Sequence, residues 1–330
     1  MDKNQKAKEC VSVKTPKLDE INPHDPKIPY EKETPRLNNR ENFENVIEKL
    51  RRCFQEKDFS DFDVMFEPKS VLNRCNNEII GRHSIQEYIE KTYHNVEIRL
   101  FKIRCLIDVE QRHAAIEWVV RTKLPGQNQY QETLAAWYFK FSQSDFSVKT
   151  WYIWIDQAYL KHISSLEEEL PVEKHWTPLE PYENYSTEQI SEMIRKKIGL
   201  FENEDINGWS DMLHDQLIIR PPWDLCIGKE PCVKGASKFF ENFENTQISK
   251  IELLHDKEKP NWAVYLQIFS TKNRETGETG EDIDYVFMEI NDQKIRYWRC
   301  YFNTNKPPGN SGTFKFFIKT LIDCKRNEKQ

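Results

Sequence analysis

A strand ending is written twice in this chain. "VKTWYIWID" at 148–156 and "KIRYWRCYFN" at 294–303 share a frame of two spaced aromatics, Trp151 and Trp154 in the first and Trp298 and Tyr301 in the second. Asp156 closes the first frame and Asn303 the second. The separation from Trp151 to Trp298 is 147 residues, and the same 147 separates Phe54 from Phe201, Asp58 from Asp205, Phe62 from Trp209 and Met65 from Met212. Ile98 and Ile248 lie 150 apart, which asks for a small insertion. An offset kept from the first helical stretch to the last strand marks two copies of one domain-sized unit. A chain of 330 residues has room for two domains at roughly 150 residues each.

Each unit reads as helices followed by strands. Phe43, Val46, Ile47, Leu50, Cys53 and Phe54 repeat with helical period and make one apolar stripe. "EKDFSDF" interrupts it; a short second helix and a connector follow, and Ile85, Ile89 and Tyr93 fit a third helix. Four strands come next: "NVEIRLFKIRCLIDV", "HAAIEWVVRTKL", "YQETLAAWYFKFS" and "SVKTWYIWIDQAYL". In the second copy "STEQ" predicts a capping box, with Ser186 as N-cap and Gln189 reaching back. The organisation expected is an N-terminal tail over 1–38, disordered or docking, a first domain over 39–160, a linker rich in acid, proline and aromatics over 161–185, a second domain over 186–305 and an extension over 306–330. "LAAWYFKF" and "WAVYLQIF" are apolar on both faces. An antiparallel strand with one wet face alternates instead. Such strands need cover on both sides: helices on one, and the sheet of the sister copy on the other. The expected architecture is therefore an internal pseudo-dimer.

Composition narrows the function. Lys and Arg total 48 against 54 Asp and Glu, a net charge of −6, so no electrostatic argument favours a nucleic-acid partner. The basic run Arg195-Lys196-Lys197 reads as a solvated helix face. The 10 glycines form no phosphate-cradling loop. The 8 cysteines include no CxxC pair, and the histidines no HExxH, so neither a metal nor another cofactor is expected and the thiols read as free in a reducing compartment. No run approaches the roughly 18 apolar residues of a membrane span, and "MDKNQKAKEC" has no apolar core of a secretory signal. A cytoplasmic location is the expectation.

Helices first, then a curved antiparallel sheet ending in aromatic-x-x-aromatic-x-Asp, resembles the SnoaL-like branch of the nuclear transport factor 2-like superfamily. "YWRCYFN" is close to that family's strand ending and "WYIWID" is a looser match. The resemblance covers about residues 40–160 and 186–304. It implies an α+β fold: two tandem cones, each with about three helices closing a curved sheet around a pocket. It also implies that an acid on the last strand acts there as base or hydrogen-bond partner. Asp156 is then the catalytic candidate, its pKa raised by an apolar cavity, and Arg121 on the second strand pairs with it or binds an anion. Tyr93, Trp118, Tyr138, Trp154, Tyr301 and Asn303 are candidate ligand contacts, each weighed against simple core packing or a strand tie. An amide cannot serve as a general base, so Asn303 leaves the second copy structural or binding without turnover. If either cone does chemistry, it should be the first.

Two functions compete on this evidence. One is a non-catalytic tandem binding or scaffold protein, holding a small apolar ligand and engaging a protein through its tail or linker. The other is a SnoaL-type isomerase, cyclase, dehydratase or hydrolase acting on a small ring compound, with Asp156 as general base. The degenerate motifs and the divergence of the copies favour the first.

Overall fold

The helical stripe that opens the first copy forms α1 (Arg40–Gln55), which buries Phe43, Ile47, Leu50, Cys53 and Phe54. The computed structural model describes residues 40–74, 77–168, 170, 183–220 and 226–302, all within one compact unit. After α1 come α2 (Phe62–Met65), a hairpin of β1 (Phe66–Arg74) and β2 (Asn77–Ile80), and α3 (Arg82–Tyr93). Four long strands complete the cone: β3 (Glu97–Asp108), β4 (His113–Lys123), β5 (Tyr130–Phe141) and β6 (Val148–Ile163). The second copy repeats the series as α4 (Thr187–Glu202), α5 (Ile206–Asp211), β7 (Leu213–Arg220), β8 (Cys226–Ile227), α6 (Lys229–Asn242), β9 (Phe243–His255), β10 (Trp262–Asn273), β11 (Thr279–Asn291) and β12 (Lys294–Phe302). Ser186 caps α4 as its sequence foretells, accepting from the Gln189 amide while the Gln189 side chain accepts from the Ser186 amide.

The two sheets have one topology, β2-β1-β6-β5-β4-β3 and β8-β7-β12-β11-β10-β9. The α+β class holds, but each sheet is mixed rather than antiparallel. β1 runs parallel to β6, and β7 parallel to β12. The hairpin β1–β2 occupies the stretch read as a connector. Pro68 hides β1 in the sequence, and it falls where the β1–β6 register shifts between Phe66 and Val71, a place where a strand tolerates a missing donor. β6 also runs on to Ile163, past the boundary read at residue 160.

The repeat is visible in the register. Leu72 pairs with Trp151 and Ile219 with Trp298, both partners displaced by 147. Gly81 and Gly228, also 147 apart, precede α3 and α6 with φ of 97° and 99°, backbone that favours glycine. Their amides donate to Ser70 O and Leu217 O, again 147 apart. The middle strands shift to 149: Trp118 pairs with Ala135, and Gln267 with Asp284. The turn before β10 is longer than the one before β4, and the turn before β12 is correspondingly shorter.

Each sheet has one face under its own helices. There the cores gather, Trp118, Trp137 and Trp151 with α1 and α3 in the first cone, Tyr265, Val286 and Met288 with α4 and α6 in the second. The opposite faces of the two sheets share a third buried cluster, in which Ala115, Val119, Tyr138 and Trp154 meet Val264, Tyr285, Phe287 and Tyr301. Trp154 stacks flat on Tyr285 with ring centres 4.6 Å apart.

Candidate functional site

Side-chain parity along β6 decides where Asp156 points. Trp151 and Ile153 face the helices, so Tyr152, Trp154 and Asp156 face the sister sheet. Asp156 is therefore not in the cone cavity that the resemblance implies. Its Oδ2 lies 3.3 Å from Nη2 of Arg299 on β12, and both side chains are about 1 % exposed. The Nε of Arg299 lies 3.6 Å from Glu117 on β4, which is also bonded by Arg104 and by the Tyr301 hydroxyl at 2.9 Å. Arg104 lies over the rings of Trp262, 3.9 Å away, and Tyr297. Two acids and two guanidiniums thus form one buried ionic network between the sheets. Burial outweighs its neighbours at Arg104 and pulls its pKa down.

Arg121 does not meet Asp156. Its guanidinium lies 2.7 Å from Glu132 on β5 and donates to the carbonyls of Leu166 and Glu168, pinning the chain beyond β6. Tyr138 also faces the sister sheet; its hydroxyl bonds His113 Nδ1 at 2.9 Å and Glu252 of the second cone at 3.3 Å. His113 opens β4, and burial lowers its pKa. Tyr93 packs edge-on to Phe54. Asn303 lies outside the described residues.

Trp118 is the ligand candidate that faces the helices. Around it Trp137, Trp151, Phe54 and Phe139 fill the interior with ring centres 5.2–6.2 Å apart. The indole N–H groups of Trp118 and Trp151 have no hydrogen-bond partner among the described residues. Trp118 also reaches a cleft of about 490 Å³ between α1 and β3. Ile47, Leu100, Phe101, Cys105 and Leu170 supply its apolar wall, and Glu48 and Arg51 stand among its charged residues. That volume falls in the range of small-molecule clefts.

The second cone is different where the first is apolar. Strand register and the 147 offset match Leu50 with Lys197, Ile116 with Tyr265, Trp118 with Gln267, Ala135 with Asp284 and Ile153 with Cys300. In the second cone Lys197, Tyr265, Gln267 and Asp284 are each no more than 3 % exposed. Lys197 Nζ donates to the Tyr265 hydroxyl at 2.8 Å and lies 3.8 Å from the centre of the Trp298 ring. Gln267 donates to Asp284 at 3.0 Å. Burial pushes the Lys197 ammonium down to about 8 and the Tyr265 phenol well up. Under its helices the second cone thus holds a buried polar cluster at positions that are apolar in the first. Its sequence signal was hidden in the run read as solvated. Arg195 and Lys196 are exposed, but Lys197 falls seven residues after Ile190, on the buried stripe.

No family model matches the sequence, and no curated protein does either. Solved structures resemble parts of it. An LEH-like epoxide hydrolase from M. tuberculosis is 13% identical with a TM-score of 0.33, covering 41% of this chain and 96% of its own. A protein of ketosteroid isomerase-like fold from Catenulispora acidiphila, in complex with trimethylamine, is 8% identical with a TM-score of 0.33, covering 37% and 92%. An NTF2-like protein from Burkholderia xenovorans is 15% identical with a TM-score of 0.31, covering 37% and 94%. At such identities no activity, substrate or site passes to this chain. In fold, on the strength of its own strand order and register, the chain is a tandem pair of α+β units, each a six-stranded mixed sheet with helices on one face.

Proposed function

We propose that the chain is a non-catalytic binding protein, built as an internal pseudo-dimer, that holds a small apolar molecule in the α1–β3 cleft of its first cone. The observation that carries this reading is the position of Asp156. Its carboxylate is engaged with Arg299 between the sheets, away from the helix-covered interior where a substrate would meet a base. Proton abstraction needs the base within hydrogen-bond reach of the substrate. The cleft beside Trp118 offers apolar contact, and its Arg51 is already engaged with Glu48.

Native mass spectrometry of the full chain, purified without denaturant, tests it. The expected result is a co-purifying apolar molecule whose retention falls at least tenfold in Leu100→Glu and is unchanged in Asp156→Asn. Turnover of any small ring compound that Asp156→Asn abolishes at unchanged folding would overturn the reading in favour of a SnoaL-type enzyme.

A further inference from the structure

The second cone holds a group that the proposed binding role does not use. A lysine sealed in an apolar interior is costly, because burial disfavours its charged form. Copy one shows that the position does not need it, since Leu50 fills the equivalent place on α1. The Tyr265 hydroxyl is the sole hydrogen-bond partner of Lys197 Nζ among the described residues, and no carboxylate there lies within ion-pair distance of it. Asp284 acts on the amine through its field. The same field reaches Cys300, whose pKa rises through burial and then through Asp284. Lysine, tyrosine and aspartate are thus buried together under the helices of the second cone.

We propose that Lys197 captures a small neutral aldehyde or ketone as an imine inside the second cone, with Tyr265 relaying protons. The Nζ lone pair forms a bond to the carbonyl carbon, and the C=O π pair moves to oxygen. Both amine protons pass to that oxygen, by way of the Tyr265 hydroxyl 2.8 Å away, and it leaves as water when C=N forms. No oxidant or reductant is consumed. The reactive form is the neutral amine. At pH 7 an amine titrating at about 8 is neutral roughly 300 times more often than one at 10.5. The charge balance favours a neutral carbonyl compound over an anion. Asp284 already puts one negative charge near the amine; the imine nitrogen balances it by taking up one proton from water, whereas an anionic ligand would add a second buried negative charge. Trp298 gives an aromatic face for an aryl group beside the new bond.

The experiment treats the full folded chain with benzaldehyde and cyanoborohydride across pH 6.5–10.5 and maps benzyl groups by peptide mass spectrometry. Burial of Nζ makes capture slow, gated by opening of the cone. The expected result is a benzyl group on Lys197 whose rate of appearance bends near pH 8. Lys197→Met should abolish it, and Tyr265→Phe should slow it at least tenfold while circular dichroism stays unchanged. Labels confined to exposed lysines, or a Lys197 label that bends near 10.5 as in the urea-unfolded chain, would overturn the proposal. Reversible benzaldehyde binding without trapping would also overturn it, and would leave the first-cone cleft untouched.

Discussion

Replacing Arg299 with methionine tests whether the ionic network holds the two sheets together. The side chain is 1 % exposed and lies 3.3 Å from Asp156 and 3.6 Å from Glu117. Methionine fills similar space and keeps apolar contact with Tyr301, 4.6 Å from the guanidinium. What is lost is the positive charge facing two carboxylates that water cannot reach. Removing one partner of a buried pair costs about 3–5 kcal/mol, mostly the desolvation of the charge left behind. For a unit of this size that lowers Tm by about 6–20 °C. The pair itself carries much less. Arg299→Met combined with Asp156→Leu should therefore recover at least half of the loss, because Asp156 is no longer stranded and Glu117 keeps Arg104. Urea titration followed by tryptophan fluorescence, on wild type, both single variants and the double, gives the coupling energy directly. A loss below about 1 kcal/mol in Arg299→Met, or strict additivity in the double variant, would refute the reasoning.

Lys197 makes a pH-dependent prediction. Its folded pKa, about 8, lies below its unfolded value near 10.5, so the unfolded chain binds the extra proton between those values. The penalty is complete below pH 8 and vanishes as pH rises through 10.5. Lys197→Met should be more stable than wild type by about 3 kcal/mol at pH 7, and the gap should close by pH 10.5 in parallel urea titrations. Gly228→Ala should cost about 1–3 kcal/mol, because φ of 99° strains any residue with a Cβ; the nearest atom to that Cβ, Pro231 Cδ, is 3.8 Å away, so crowding adds nothing. Its urea midpoint should fall while the slope of the transition stays constant.

Much of the fold was legible because the repeat and the apolar periods are local signals. The stripe Phe43 to Phe54 became α1, and "STEQ" became a capping box. β1 was not legible: Pro68 and its charged neighbours disguise a strand that pairs in parallel across a long stretch of chain. The candidate site fared worse for a physical reason. A strand's two faces are fixed by parity, but which face meets the helices and which meets the sister sheet depends on packing. Asp156 and Trp151 sit on opposite faces of β6, and the sequence alone does not say which one the cavity receives. Lys197 was missed because three consecutive basic residues look alike until the helical phase separates them.

The contact between the sheets is chemically lopsided, and that decides who can pair with whom. By register, Arg104 of the first cone occupies the place of Glu252 in the second, Glu117 that of Leu266, and Lys140 that of Glu289. Across the contact Lys140 meets Glu252 at 2.5 Å, while Arg104 lies in the field of Glu289. Two first cones brought together through this face would set Arg104 against Lys140 and would put Tyr152 where Arg299 receives Asp156. Two second cones would set Glu252 against Glu289. Like charges in a dry contact repel strongly. Duplication joined the halves in one chain, and their divergence then made each half the wrong partner for itself, so through this face a first cone cannot pair with another first cone, nor a second with a second, without opposing like charges.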